Sequence, residues 1–451
     1  MSALARFFNK QGFVVCGYDK TQTALTDSLT EEGIQIHFED NGQSSIPTVV
    51  KSNKENTLVI YTPAIPKNHQ EYLWLIEQGY TIKKRAEVLG MLTHKYKTVA
   101  VAGTHGKTTT SSMVAHLLKV AQIPSSAFLG GIATNYNSNL ILHDTETEEQ
   151  VVVAEADEFD RSFLWLQPDL GVITATDADH LDIYGEKDAL VKAFGEFAQQ
   201  INPGGTLFLN YKADEVVKIV PMQPHTTVKI YGSHVGADCR ATDIKVEGGT
   251  YYFTYEDDSC RLENVELGIP GFHNVENATA AIACALQMGA TAPQIYEGLK
   301  TYRGVKRRFE YILKEPVVFI DDYAHHPTEI EALITSVKAL YANQKITALF
   351  QPHLYSRTRD FYEGFASSLS LADEVILTNI YPAREEPLEG VESHIIAERL
   401  TVPYKLISYD EVESLIGKEN LNILLSIGAG DIDKLVPKLK QILLNKNGNF
   451  S

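Results

Sequence analysis

The chain reads as an α/β protein of three successive domains, and three observations predict this. Short β-branched apolar runs alternate with helix-compatible stretches along the sequence. One run, residues 98–102, feeds into the turn Gly103-Thr104-His105-Gly106, and Lys107-Thr108-Thr109 then opens a helix. The length, 451 residues, suits about three ordinary domains. The expected order is an N-terminal Rossmann-like domain over 1–95, a central P-loop ATPase domain with a mostly parallel sheet over 96–312, and a C-terminal Rossmann-like domain over 313–451. Residues 1–8 read as a helix with no strand before it, whereas a doubly wound domain opens on a strand and a glycine turn. The pattern suggests a first strand missing from the numbered chain, and a domain that simply begins with a helix fits equally well.

Composition narrows the function classes. The net charge of -18 argues against bulk binding to nucleic acid or to an anionic membrane, so an anionic substrate needs local basic clusters. Cys16, Cys239, Cys260 and Cys284 are scattered, with no C-x-x-C pair, and read as reduced cytosolic thiols. No run of 18 apolar residues marks a membrane span, and the first eight residues make a poor signal peptide. The expectation is a soluble, cytoplasmic protein.

In the first domain, residues 13–17 and 58–61 read as strands, and 70–78 and 85–93 as helices. In the second, the phosphate loop is followed by Gly130-Gly131 with Asn135, Asn137 and Asn139 close behind. A strand over 150–154 ends in Glu155-Ala156-Asp157-Glu158, and one over 170–174 leads to Asp177-Ala178-Asp179-His180. Parallel strands place their ligands beyond their carboxyl ends, so three strands deliver chemistry to one edge. Residues 206–209, 227–231 and 250–255 add strands with hairpin-like spacing, and 270–277 opens an alanine-rich helix. The third domain has strands over 317–320, 346–350, 374–378 and 422–426, with a closing helix over 435–444.

Glycines let backbone N–H groups close on phosphate oxygens at a helix N-terminus, with Lys107 reaching the terminal phosphates and Thr108 a Mg²⁺ ion. Val101 stands where the strict pattern has its first glycine. Glu155 and His180 join Thr108 as metal candidates; magnesium prefers oxygen, and the histidine leaves room for Mn²⁺. Lys306-Arg307-Arg308 is a basic cluster suited to phosphate or to an exposed turn. Asp321-Asp322-Tyr323-Ala324-His325-His326 follows a strand, where it can bind ribose, a metal or an amino group, or cap the helix starting near Pro327. Arg357 and Arg359 follow the next strand and can hold a carboxylate in a fork.

Together these stretches resemble the Mur ligases, ATP-dependent amide-forming enzymes of peptidoglycan synthesis. The carrying segments are GTHGKTTT (103–110), EADE (155–158), DADHLD (177–182), PGFHNVENA (270–278), GVKRRFE (304–310), DDYAHHPTE (321–329), QPHLYSRTRD (351–360) and GAGD (428–431), in family order. The resemblance is nearest to the alanine-adding branch. It implies that ATP drives the joining of L-alanine to the carboxylate of UDP-N-acetylmuramate through an acyl phosphate. It implies ATP binding by Gly103, Thr104, His105, Gly106, Lys107, Thr108 and Thr109, with His273, Asn274 and Asn277 on the adenine side. Arg308 and Asp322 would reach phosphate and ribose. Tyr323, His325, His353 and Arg357 would surround the alanine. Lys107, Glu155, His180 and His325 form the implied catalytic set, with Thr108, Glu155 and His180 serving the metal.

The departures are specific. A glycine-rich turn usual in the family is absent before Met1, so the sequence is expected to start late or to be truncated. Leu354 stands where many members have arginine, and Tyr381-Pro382-Ala383-Arg384-Glu385 departs from the commoner glycine-bearing form. Gly195 falls near the place where several other Mur ligases carry a carbamylated lysine. Competing readings are a recycling ligase that attaches a ready-made tripeptide to the same UDP-sugar, a P-loop nucleotide switch or kinase, and a non-catalytic UDP-sugar binder.

Overall fold

The computed structural model describes residues 1–143, 150–177, 184, 186–219, 223–383 and 385–445. They fall into two compact units. One comprises Met1–Arg240, Asp257–Ser259 and Thr279–Gly298; the other comprises Ala241–Glu256, Cys260–Ala278 and Leu299–Ser451.

The first unit opens with the helix Ser2–Lys10. Its Ala3, Leu4 and Phe7 share one helical face and join the core that contains Phe128, Val152 and Phe194. Two small parallel pairs follow: β1 (Cys16–Tyr18) with β2 (Gln35–His37), and β3 (Leu58–Tyr61) with β4 (Thr81–Lys84). Thr23 starts the intervening helix Ala24–Glu31 with a reciprocal side-chain cap.

The unit's main sheet is built from β5 (Lys97–Ala102), β6 (Ser125–Ala133), β7 (Ser138–Ile141), β8 (Val151–Glu155), β9 (Leu170–Ile173), β10 (Thr206–Asn210) and β11 (Thr227–Gly232). Their order is β11-β10-β9-β5-β8-β6-β7. The pairings are parallel except β6 with β7. Val99, Ala100, Val101 and Ala102 have no exposed surface, which is why β5 is apolar without alternation.

The hairpin-like spacing expected around β10 and β11 is corrected. These strands run parallel, and the helix Glu215–Ile219 lies on the crossover that a parallel connection requires. Cys239 and Arg240, the start of β12 (Cys239–Glu247), pair in parallel with the end of β11. In the second unit β13 (Thr250–Glu256) and β14 (Arg261–Leu267) form the antiparallel hairpin.

The second unit also holds a six-stranded sheet: β15 (Glu310–Leu313), β16 (Val318–Asp322), β17 (Ile346–Phe350), β18 (Glu374–Leu377), β19 (Tyr404–Leu406) and β20 (Ile423–Ile427). The order is β15-β16-β20-β17-β18-β19, and only β15 runs antiparallel. Alternate residues feed opposite faces. Val318, Ile320, Ala348, Phe350, Leu425 and Leu377 build one core, while Phe319, Leu349, Leu424 and Ile376 build the other. The carboxyl ends of β16, β17, β18 and β20 therefore lie along one edge. Among the described residues no helix is long and apolar enough to cross a membrane. The four cysteines are free thiols.

Candidate active site

In the first unit, β5 runs into the helix Lys107–Val120 through Gly103–Gly106. Gly103 has φ +128 and touches residues 174 and 175 so closely that a Cβ would lie 2.8 Å from the Ala175 nitrogen. Gly106, at φ +80, caps the helix. Thr104 N–H donates to the Ala175 carbonyl (3.0 Å), and its hydroxyl accepts the Asp177 N–H (3.1 Å). The Thr174 hydroxyl donates to the carbonyls of Ala102 (3.1 Å) and His105. The His105 ring faces the Asp177 carboxylate at 3.5 Å. Thr110 N–H donates to the Gly106 carbonyl at 2.9 Å, at the start of the helix.

Lys107 extends back over the loop. Its ammonium donates to the Gly103 carbonyl at 2.7 Å and to the fully buried Glu158 carboxylate at 2.8 Å. Burial disfavours the charged amine, but the carboxylates of Glu158, Asp157 and Glu155 outweigh it and hold Lys107 above the usual lysine value. Thr108 donates its hydroxyl to Glu155 Oε1 (3.0 Å), and Gly130 N–H donates to Glu155 Oε2 (2.8 Å). A hydroxyl and a carboxylate in contact, both hard oxygen donors, fit a magnesium ion that completes its shell with phosphate and water. Thr109 is buried on the same first turn. His180 lies outside the described residues, and among those described no group of three His, Cys, Asp or Glu side chains is placed to hold a metal ion.

In the second unit, Asn274 and Asn277 sit one turn apart on the helix Phe272–Gln287. Asn277 donates to the Asn274 side chain (3.1 Å), and Asn274 donates to the Pro270 carbonyl (2.6 Å). His273 lies over Gly271, where a Cβ would come within 2.7 Å of the ring.

At the end of β16, Asp322 accepts N–H groups from Phe309 (2.7 Å) and Ala324 (2.8 Å). Burial nevertheless pushes its carboxyl up to about 7, against those two N–H groups and the Arg308 charge. Arg307, a residue to which sequence reasoning assigned only membership of a basic cluster, grips the buried Asp321 (3.1 Å) and the Gly428 carbonyl (2.6 Å). Both Arg307 and Arg308 lie over the Tyr323 ring, at 5.2 and 6.0 Å. Thus Arg308, Asp322 and Tyr323 are brought together.

His325 Nδ1 is 2.9 Å from the Tyr323 carbonyl, and its ring is 6.3 Å from that of His353. His326 plays a separate part, since its ring nitrogen accepts the Thr328 N–H and caps the helix Pro327–Leu340. Beyond β17, His353 stacks on Tyr381 (5.8 Å, 17°). Burial, then the His325 and Arg357 charges, lowers its imidazole to about 4. Arg357 occupies the first turn of the helix Tyr355–Leu369. Tyr323, His325, His353 and Arg357 therefore share the carboxyl edge of one sheet.

Sequence reasoning missed the specific roles of Glu158, Gly130 and Glu385. Glu158 was visible only as the last acid of a cluster, and no local pattern distinguishes a lysine's partner from a solvated acid.

Residues 1–97 match the family model described as "Mur ligase family, catalytic domain", 101–285 the "Mur ligase middle domain", and 307–426 the "Mur ligase, glutamate ligase domain". A UDP-N-acetylmuramate–L-alanine ligase of Phocaeicola vulgatus is 46% identical over 452 residues, covering 99% of this chain and 96% of the relative. One from Porphyromonas gingivalis is 47% identical over 451 residues, covering 98% and 96%. The crystal structure of the UDP-N-acetylmuramate–alanine ligase of Thermotoga maritima superposes with a TM-score of 0.78 at 27% identity, covering 100% of this chain and 97% of that one. A murein peptide ligase of Psychrobacter arcticus shares the fold, with a TM-score of 0.67 at 21% identity over 98% of this chain and 96% of its own. With all three domain models matched in order and a phosphate loop built as described, the chain belongs to the Mur ligase family.

Proposed function

We propose that this chain is an ATP-dependent ligase that joins L-alanine to the carboxylate of UDP-N-acetylmuramate in peptidoglycan precursor synthesis. The observation that carries the reading is near-complete alignment, at 46% and 47% identity, with relatives named for that reaction. The domain limits we assign are 1–95 for the UDP-sugar, 96–312 for ATP and 313–451 for the amino acid.

The muramyl carboxylate oxygen attacks the γ-phosphorus of ATP, and the bond to the bridging oxygen breaks to leave ADP and an acyl phosphate. The alanine amine then attacks the acyl carbon, loses a proton, and expels inorganic phosphate as the amide forms. Gly103–Gly106 and the first turn of the following helix cradle phosphate oxygens. Lys107, kept charged by Glu158, would meet the negative charge that develops on the transferred group. Thr108 and Glu155 would hold Mg²⁺, which supplies charge neutralisation, and His180 is proposed as a further ligand. His273, Asn274 and Asn277 serve the adenine side, and Arg308 and Asp322 the phosphate and ribose. Tyr323, His325, His353 and Arg357 receive the alanine. Orientation of three substrates and exclusion of water from the acyl phosphate are the protein's main contributions.

The test measures phosphate release with ATP, Mg²⁺, UDP-N-acetylmuramate or L-alanine omitted in turn, alongside mass spectrometry of the sugar product. Release only with all four present, and a UDP-sugar heavier by one alanine residue, is the expected result. Product formed only with tripeptide would move the chain to the recycling reaction. Release indifferent to sugar and amino acid would overturn the ligase reading.

A further inference from the structure

We propose that the segment carrying Tyr381 and Glu385 positions the amino-acid-binding groups of this chain, Tyr381 acting on His353 and Glu385 on the helix that bears Arg357. The assignment rests on the ligase reading for its substrate, and on geometry for the positioning itself.

The helix Tyr355–Leu369 starts badly by itself. Its cap residue is Leu354, whose side chain accepts nothing and whose φ of +67 is uncommon for a branched residue. The missing acceptor comes from beyond β18. Glu385 Oε2 accepts the Ser356 N–H at 3.0 Å, and Oε1 accepts the Ser356 hydroxyl. A carboxylate there satisfies a first-turn donor and meets the favourable end of the helix dipole. Arg357 is the next residue, so the clamp on Ser356 fixes the turn from which the guanidinium projects.

The same segment holds His353. Tyr381 N–H donates to the Pro352 carbonyl (2.8 Å), and Leu354 N–H donates to the Tyr381 carbonyl (2.9 Å), bracketing His353. The Tyr381 ring then stacks on the imidazole. Gly430 backs that ring so closely that a Cβ would stand 2.7 Å from the Tyr381 Cβ. Gln351 joins the layers, donating to Asp431 (3.0 Å) and accepting the Ile432 N–H (3.0 Å). The ends of β17, β18 and β20 thus fix one tyrosine ring, Glu385 holds one helix start, and through them two groups assigned to the amino acid are placed. Neither Tyr381 nor Glu385 need touch substrate; both are positioning residues.

The experiment uses the full chain with Glu385→Ala, Glu385→Gln, Ser356→Ala and the double variant Ser356→Ala/Glu385→Ala. Glu385→Ala should raise the KM for L-alanine about tenfold, by analogy with the loss of a group that orients a metal ligand. The KM values for ATP and UDP-sugar should stay within about twofold. Glu385→Gln, which keeps an acceptor for the Ser356 N–H, should recover most of the loss. The double variant should be no worse than Glu385→Ala. An unchanged KM for L-alanine, or an equal rise in all three KM values, overturns the proposal. Amide hydrogen exchange at Ser356 provides a readout independent of the reaction: protection in the unaltered chain should be lost in Glu385→Ala. Equal protection in both overturns the positioning claim whatever the enzyme makes. An unaltered chain that forms no alanine product overturns the ligase reading instead, and the amino-acid half of this proposal with it.

Discussion

The role proposed for Lys107 in phosphoryl transfer requires its charge, and Glu158 keeps that charge in a buried place. The pairing has a measurable consequence. Lys107→Ala should abolish phosphate release, a loss of at least about a hundredfold for a group facing developing charge. It should also cost stability, because it leaves a buried carboxylate without its cation. Adding Glu158→Gln should restore the melting temperature without restoring activity. If the double variant regains turnover, the charge of Lys107 is not what the reaction needs. Gly130 makes a second case. A Cβ there would stand 2.5 Å from both Glu155 carboxylate oxygens. Gly130→Ala should therefore displace the carboxylate and raise the Mg²⁺ concentration for half-maximal activity about tenfold, the lower end of the cost of disturbing a group that orients a metal ligand. Magnesium titration of the two enzymes checks it; coincident curves would remove Glu155 from the metal.

The helix Lys107–Val120 carries more than the phosphate site proposed at its start. His116 is buried on it, with Nδ1 2.7 Å from the Tyr136 hydroxyl. Burial lowers its imidazole to about 4, slightly opposed by a hydrogen bond with the Gly298 backbone. The unfolded chain takes up this proton near pH 6.5, whereas the native chain does so only near 4. Between those values the unfolded state binds more protons, so stability falls as the pH falls from 6.5 toward 4. The contribution is on the order of 3 kcal/mol across the whole window. His353, also lowered to about 4, acts with the same sign. His116→Gln should flatten the dependence of melting temperature on pH between 6.5 and 4 while changing it little above 7. Parallel curves for the two proteins would show that His116 takes up its proton equally in the folded and unfolded states.

On the scale of the whole molecule, separate cores predict separate unfolding. Among the described residues one core of the first unit runs from Ala3 to Val216 and a smaller one gathers Ile46, Leu75 and Tyr80, whereas two others line the faces of the six-stranded sheet in the second unit. Differential scanning calorimetry should give a calorimetric enthalpy larger than the van't Hoff enthalpy, the mark of more than one cooperative block. A single transition with equal enthalpies would mean that the two units unfold as one.

Much of this protein is legible without coordinates because its informative signals are local. Residues 58–61, 85–93 and 346–350 form the expected strand, helix and strand, since periodicity and β-branching act within a few neighbours. The loop at 103–108 is legible for the same reason: glycines, lysine and threonine at fixed spacing demand one backbone shape. The parallel pairing of β10 with β11 was not legible, because spacing alone does not say whether the chain between two strands turns back or crosses over. The partners that complete the site were hidden more deeply. Glu158 lies 51 residues from Lys107, Gly130 lies 25 from Glu155, and Glu385 lies 29 from Ser356. An acid's sequence neighbours do not reveal which distant amine, hydroxyl or amide it will face. Local pattern in the chain establishes the α/β class, the family and the residue types available for chemistry. Which carboxylate holds which donor is settled by the fold, because those pairings exist only once strand ends far apart in the chain share an edge.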